Sequence, residues 1–180
     1  MRDENGFRRA VPSDATQLVS LVRSAYRGSA GWTSEADLVG GERIDAAQVL
    51  KLITHARSML LVLEENDGLL ACCHLEDLGE RLALLGTFAV RPKAQDHGVG
   101  RRMMAEAERW AAAEFGADAL EITVLAQQAA LILWYERLGF ERTGEVRPFP
   151  VDARYARPKR DDLHFVVLRK KVLGDEQAAR

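Results

Sequence analysis

The residues best suited to chemistry lie between 90 and 104, which read VRPKAQDHGVGRRMM. An apolar run ends at Val90, a lone proline follows, and two glycines then lead into a segment of helical apolar spacing. This layout suits an anion. Gly98 and Gly100 lack a Cβ, so the main chain there can approach a ligand closely. The first N–H groups of a helix starting at this point have no partner within it, and the helix dipole adds partial positive charge. Such an end binds phosphate without a dedicated side chain, and Arg101 and Arg102 would add charge at its rim. The familiar nucleotide loops do not fit. A P-loop needs Lys followed by Ser or Thr after its glycines, where this chain has Arg101 and Arg102, and a dinucleotide loop needs a third small residue where Met103 stands.

Other candidates are spread along the chain. Tyr135, in LILWYERLGF, offers a hydroxyl among apolar neighbours, a setting that also suits a packed core tyrosine. Glu35, His74, Glu76 and Glu121 are the candidates for a proton acceptor, and each also suits a solvated face. His55 and His164 read as structural, and His97 sits inside the glycine loop. No His, Cys, Asp or Glu spacing points to a metal. Cys72 and Cys73 are the only cysteines. Neighbours in a strand point to opposite faces, so a bridge between them is not expected, and reduced thiols suit a cytoplasmic protein.

The elements that must position these residues follow from periodicity. FRRAV (7–11) reads as a strand, and Ser13 and Asp14 cap a helix carrying Leu18, Val19, Leu21 and Val22. Residues 27–43 are punctuated by glycine and irregular, and a second helix fits 45–56. Three strands follow at 59–66, 68–76 and 81–90, the first two joined by a turn at Asn66, Asp67 and Gly68. Pro92 ends the third strand. Val99, Met103, Ala107, Trp110 and Ala111 form one apolar face of a helix over 98–115. A strand at 117–126, a helix at 128–138 and strands at 140–149 and 162–171 complete the chain. The order β-α-α-β-β-β-α-β-α-β-β predicts a mixed sheet with helices on its faces, in one domain spanning 1–180.

Bulk properties narrow the function. With 180 residues, 47% hydrophobic and 29% charged, the chain has the composition of a globular protein with a sizeable core. A net charge of −2 gives no general attraction to nucleic acid or to an anionic membrane, so any phosphate chemistry is local. The charged start MRDENGFRRA lacks the apolar core of a signal peptide, and no run is long enough to span a bilayer. A cytoplasmic protein is the expectation.

Two motifs now carry a family likeness. VRPKAQDHGVGR, from Val90, resembles the Val-x-Pro-x-x-Gln-x-x-Gly-x-Gly signature of the GNAT superfamily of N-acetyltransferases. WYERLGF, from Trp134 to Phe140, resembles that family's second signature, and the predicted element order matches its fold over nearly the whole chain. The resemblance implies an acyl-CoA N-acyltransferase (GNAT) fold of mixed α/β type, with a mostly antiparallel sheet flanked by helices. It implies acetyl-CoA as donor and no metal. Its pyrophosphate would lie on the main chain of Gln95, Asp96, His97, Gly98, Val99, Gly100 and Arg101. Its pantetheine arm would pair with the strand edge at Phe88 and Val90. Tyr135 would donate to the departing thiolate.

Direct transfer requires a neutral amine. An amine of pKa about 10.4 lies some 3.5 units above neutrality, so the neutral form costs roughly 4–5 kcal/mol at pH 7, and a general base is expected. Many relatives carry a glutamate on the strand preceding the pyrophosphate loop, but LALLGTFAV has no ionisable group. Glu76 and Glu35 are the leading substitutes. Relatives also carry Asn and Ala where this chain has Gln128 and Leu131. Two loops, GSAGWTSEADLVGGER and RPFPVDARYARPKRDD, would flank the acceptor, with Trp32, Phe149 and Tyr155 lining it. They resemble a branch marked by Gly-Trp-Thr-x-Glu and Pro-Phe-Pro. Arginines in the second loop suit either a carboxylate-bearing amine or a solvated basic surface.

The expected activity is acetylation of a primary amine on a small molecule or amino acid. Protein N-terminus or lysine acetylation, a non-catalytic acyl-CoA sensor and a nucleotide-binding α/β protein are the alternatives. A homodimer is common in the superfamily. No nucleic acid or membrane partner is expected.

Overall fold

The computed structural model describes residues 6–30, 34–65 and 68–172. Trp32 and the turn residues Asn66 and Asp67 lie outside them. The elements run β1 (Phe7–Arg9), α1 (Ala15–Arg27), β2 (Val39–Gly40), α2 (Ala46–Thr54), β3 (Ser58–Glu65), β4 (Gly68–Gly79) and β5 (Leu82–Val90). They continue with α3 (Val99–Phe115), β6 (Ala119–Leu125), α4 (Ala129–Arg137), β7 (Glu141–Pro148), β8 (Arg157–Pro158) and β9 (His164–Lys171).

Seven strands form one sheet in the order β1-β3-β4-β5-β6-β9-β7. All its pairs are antiparallel except β5 with β6. The fold is therefore the mixed, mostly antiparallel sheet expected. Period-two alternation assigns its residues to two cores. Leu61, Leu63, Cys73 and Leu75 face the side covered by α3 and α4, whereas Leu60, Val62 and Cys72 face α1 and α2. The adjacent cysteines thus lie in different cores, both buried and unbridged. Burial pushes the Cys72 thiol up to about 12, which makes it a poor nucleophile.

Local signals set the helix ends. Asp45 caps α2 by accepting from Gln48 N at 2.9 Å. Asp14 accepts from Val11 N at 2.8 Å and from Arg8 at 2.7 and 2.9 Å, tying β1 to the start of α1. On α3 the buried face is Val99, Met103, Met104, Ala107 and Ala111. Trp110, expected on that face, is half-buried with Arg9 and Arg109 over its ring at 5.4 Å each.

The structure adds one feature to the expected order. β2 and β8 form a separate two-stranded ladder, Val39 opposite Pro158 and Gly40 opposite Arg157. It binds the irregular early segment to the loop between β7 and β9. Among the described residues no helix is long and apolar enough to cross a membrane.

Candidate active site

The site arises where the sheet comes apart. β5 pairs with β6 over only three residues, Leu82 to Leu84 against Ala119 to Glu121. Beyond that point β5 continues along β4 as far as Val90, and β6 continues along β9 as far as Leu125. The two parallel strands diverge, and residues 85–90 of β5 present an edge with no ladder partner on the β6 side among the described residues. Unpaired N–H and C=O groups on such an edge are available to an extended ligand.

A bulge re-aims this edge. Two steps along β4, Cys72 to His74, oppose three steps along β5, Ala89 to Gly86. Thr87, inside the bulge, has φ +43°, in the left-handed region that β-branched residues avoid. Strain of this kind persists where surrounding structure holds it and is concentrated at functional sites.

Three cavities line up along the opening. The first, about 380 Å³, is bounded by the glycine loop and includes Asp96, Gly98, Gly100 and Arg101. It shares Val90, Gln95 and Trp134 with a narrow second cavity of about 80 Å³, which reaches Tyr135. The second shares Tyr26, Glu35, Phe88 and Tyr135 with a third of about 440 Å³ beneath the early and late loops. Tyr135 and Phe88 therefore stand at the junction.

At the loop end, Gly98 caps α3 with φ +76°, and a side chain there would meet open space. Asp96 is also left-handed, φ +67°. Val99 turns its side chain into the core, so only its main chain is open to a ligand. The carbonyl of Val90 accepts from Gln95 Nε2 at 3.2 Å, and His97 Nδ1 donates to Gln95 O at 2.7 Å. Gly100 lines this cavity and also answers a packing need. A Cβ there would sit 3.2 Å from the Trp134 ring, so this glycine lets α3 approach α4. Arg137 joins Arg101 at this cavity, and neither has a carboxylate partner among the described residues.

At the junction, the Tyr135 ring meets Trp134 at 4.9 Å, Phe140 at 5.5 Å and Phe88 at 6.5 Å, all edge-on. Its hydroxyl has no hydrogen-bond partner among the described residues, and burial pushes the phenol far above its ordinary value. The proton stays on at any ordinary pH.

The proposed bases fall in different places. Glu35 lies in both the second and third cavities, but its carboxylate is held by Arg27 at 2.8 Å. Glu76 lines a fourth cavity with His55 and Thr87 and is not among the residues around Tyr135. Glu121 is fully buried and bound by Arg147 at 2.7 Å and Arg169 at 2.8 Å, an ion pair that joins β6 to β7 and β9.

His74 has the most informative geometry. It lines the third cavity. Its Nε2 is 2.7 Å from Ser58 Oγ, and that hydroxyl gives its only proton to Leu52 O at 2.8 Å. Ser58 must therefore accept from His74, which puts the ring proton on Nε2 and leaves a bare lone pair on Nδ1. Burial holds the imidazole below its usual value, so it is neutral at pH 7. A Cβ on Gly86 would lie 3.5 Å from Nδ1.

Phe149 and Tyr155 line the third cavity with Tyr26 and Arg43. The Tyr155 hydroxyl donates to Asp45 at 2.7 Å, which fixes the late loop to α2. Tyr26, Arg43 and Arg137 were not singled out by sequence. Tyr26 continues the apolar stripe of α1 and reads as core, and the two arginines read as surface charge.

A family model described as acetyltransferase (GNAT) domain matches residues 56–142. No curated protein matches the chain in sequence. Among solved structures, smu.2055 from Streptococcus mutans superposes with a TM-score of 0.71 at 17% identity, over 93% of this chain and 99% of that one. The ribosomal-protein-S18-alanine N-acetyltransferase from Escherichia coli gives 0.66 at 18% identity, over 94% and 96%. A spermidine N-acetyltransferase SpeG chimera from Vibrio cholerae and hSSAT gives 0.68 at 13% identity, over 97% and 98%. The match to residues 56–142 spans the divergent strands, the glycine loop and Tyr135, so over these residues the chain is similar to the acetyltransferase (GNAT) domain.

Proposed function

We propose that this protein transfers the acetyl group of acetyl-CoA directly to a primary amine of a small molecule or amino acid. The observation that carries this reading is the row of three cavities along the open edge of β5, meeting at Tyr135. The loop cavity, with the free amides at the start of α3 and the cations Arg101 and Arg137, suits a pyrophosphate. The narrow cavity beside β5 suits the pantetheine arm, which places the thioester near Phe88 and Tyr135. The wide cavity then receives the acceptor from the opposite side. Relatives of this fold named for acetylating an alanine terminus and spermidine both act on amines, which supports the acceptor class without choosing within it.

Two side chains share the proton work in this reading. His74 Nδ1 accepts the proton that the acceptor nitrogen must lose before it attacks the thioester carbonyl. The C–N bond forms as the C–S bond breaks, Tyr135 gives its hydroxyl proton to the departing sulfur, and the second proton that the nitrogen sheds as the amide forms restores the Tyr135 hydroxyl. Glu35, paired with Arg27 at 2.8 Å, lies in the same cavity and orients the incoming ammonium. Glu76 faces the neighbouring cavity and has no part.

The test joins binding with turnover. Equilibrium binding of acetyl-CoA, ATP and NAD should show affinity for acetyl-CoA alone. A mixed panel of amines should then release free thiol in proportion to acceptor. Acetyl-CoA binding with no amine-dependent thiol release would make the protein a non-catalytic acyl-CoA binder. Preference for ATP or NAD would overturn the reading altogether.

A further inference from the structure

Arg43 is the arginine left over at the acceptor cavity. Its guanidinium lies 4.5 Å over the Tyr26 ring, and the side chain is half-buried in the wall shared by the third and fourth cavities. Four carboxylates stand close by in sequence; Asp37 is exposed, and the other three are committed elsewhere. Glu35 is held by Arg27 at 2.8 Å. Glu42 is held by Arg23 at 2.6 Å and Arg154 at 3.5 Å. Asp45 is held by Arg154 at 3.0 Å and by Tyr155. Among the described residues, Arg43 has no carboxylate partner.

The backbone holds this unpaired cation in place. Arg43 has φ +68°, a left-handed conformation uncommon for a residue with a Cβ. Its N–H donates to Tyr155 O at 3.2 Å, and the N–H of Glu42 donates to Arg154 O at 2.8 Å. The late loop thus fixes the turn that aims the guanidinium inward. A half-buried cation with aromatic backing has lost part of its hydration and gains most from an anion. Gln48, which lines both of the same cavities, has a side-chain amide with no partner among the described residues. A guanidinium fork beside an amide donor matches a carboxylate. The late-loop arginines do not compete for it: Arg147, Arg154 and Arg160 are bound to acidic residues, and Arg157 is not among the residues lining either cavity.

We infer that Arg43, with Gln48, forms a carboxylate subsite, and that the acceptor is an amine bearing a carboxylate, as in an amino acid. This rests on the acetyl-transfer reading for the role of the amine, but the subsite itself can be measured by binding. The acceptor would lie with its carboxylate at Arg43 and its amine toward Glu35, His74 and the junction at Tyr135.

The experiment uses the full chain with CoA or acetyl-CoA and three matched panels: amino acids, their carboxamides and the amines left by removing the carboxylate. Thermal stabilisation reports binding, and thiol release reports transfer. At least one amino acid should stabilise the protein and its carboxamide should do so at least about tenfold more weakly. Arg43→Asn, chosen because asparagine tolerates the left-handed backbone, should raise KM for that acceptor about 10- to 100-fold, with kcat falling far less. Arg43→Lys should recover part of the loss. Equal binding of the panels that lack the carboxylate, no stabilisation by any amino acid, or an unchanged KM in Arg43→Asn would overturn the subsite. Stabilisation by amino acids without thiol release would leave the subsite standing and overturn the transfer reading.

Discussion

Replacing Tyr135 by phenylalanine tests the centre of the proposed mechanism. The ring makes edge contacts with Trp134, Phe140 and Phe88 that phenylalanine would keep. Because the hydroxyl has no partner among the described residues, its removal strands no donor or acceptor, and stability should hold or rise slightly. Acetyl-CoA affinity should also hold, since the loop amides and the β5 edge are untouched. Turnover should not. A positioned acid contributes about 10²- to 10⁴-fold. The departing group is a thiol of pKa about 8.5, already a tolerable anion, so the lower end applies. A hundredfold loss corresponds to roughly 2.7 kcal/mol of barrier. The deficit should narrow as pH passes about 8.5, where the thiolate no longer needs a proton. Wild-type Tyr135 should show no such limb, because burial keeps its phenol protonated. Thiol release from pH 6.5 to 9.5, beside acetyl-CoA titration, makes the comparison. Unchanged kcat, a deficit that is flat with pH, or an equal loss of acetyl-CoA affinity would each refute the reasoning.

Gly86→Ala introduces a methyl 3.5 Å from His74 Nδ1 without steric overlap; a folded protein with lowered kcat and unchanged acetyl-CoA binding is expected, and full activity would remove His74 as proton acceptor. His74 itself makes stability depend on pH. Burial lowers its pKa from 6.5 in the folded state, so the unfolded chain binds the proton first, and stability is full above about 6.5 and declines below it; in denaturant titrations His74→Gln should flatten that decline. Asp14 works at lower pH. Its hydrogen bond from Arg8 holds the carboxyl below 3.8, so its contribution is full above that value and lost as pH falls through the folded value. Asp14→Asn should cost about 1–3 kcal/mol at pH 7, with a gap from wild type that closes in acid. At the glycine loop, Gly98→Ala places a Cβ on a backbone at φ +76°; a loss of about 1 kcal/mol together with weaker acetyl-CoA binding is expected, and unaltered binding by calorimetry would detach the loop from the donor.

What was legible in the sequence was what repeats or punctuates. Strand period put Cys72 and Cys73 on opposite faces of the sheet, and Pro92 with Gly98 marked the passage from β5 to α3. Tyr135 was found because its neighbours form a signature, not because a lone tyrosine is informative. The opening between β5 and β6 was not legible from spacing, because both strands remain apolar after they part. The β2–β8 ladder escaped because two-residue strands have no period to detect. Arg43 escaped for a related reason. Its significance lies in the pairing of Glu35, Glu42 and Asp45 with other cations, and pairing is a tertiary fact. The second glycine of the loop shows the limit from the other side: flexibility and room for a neighbouring tryptophan leave the same letter in the sequence.

The short ladder between β2 and β8 has a consequence for how this protein can change. Val39 and Gly40 are matched to Pro158 and Arg157, and the turn that aims Arg43 borrows its hydrogen bonds from Arg154 and Tyr155. The two loops over the third cavity are therefore one coupled unit. An insertion or substitution in either would shift the register of the other and swing Arg43 away from the cavity. Drift toward a new acceptor should proceed by paired changes in 34–43 and 152–159. A library that varies one loop alone should yield mostly inactive proteins, and one that varies both together should yield new specificities.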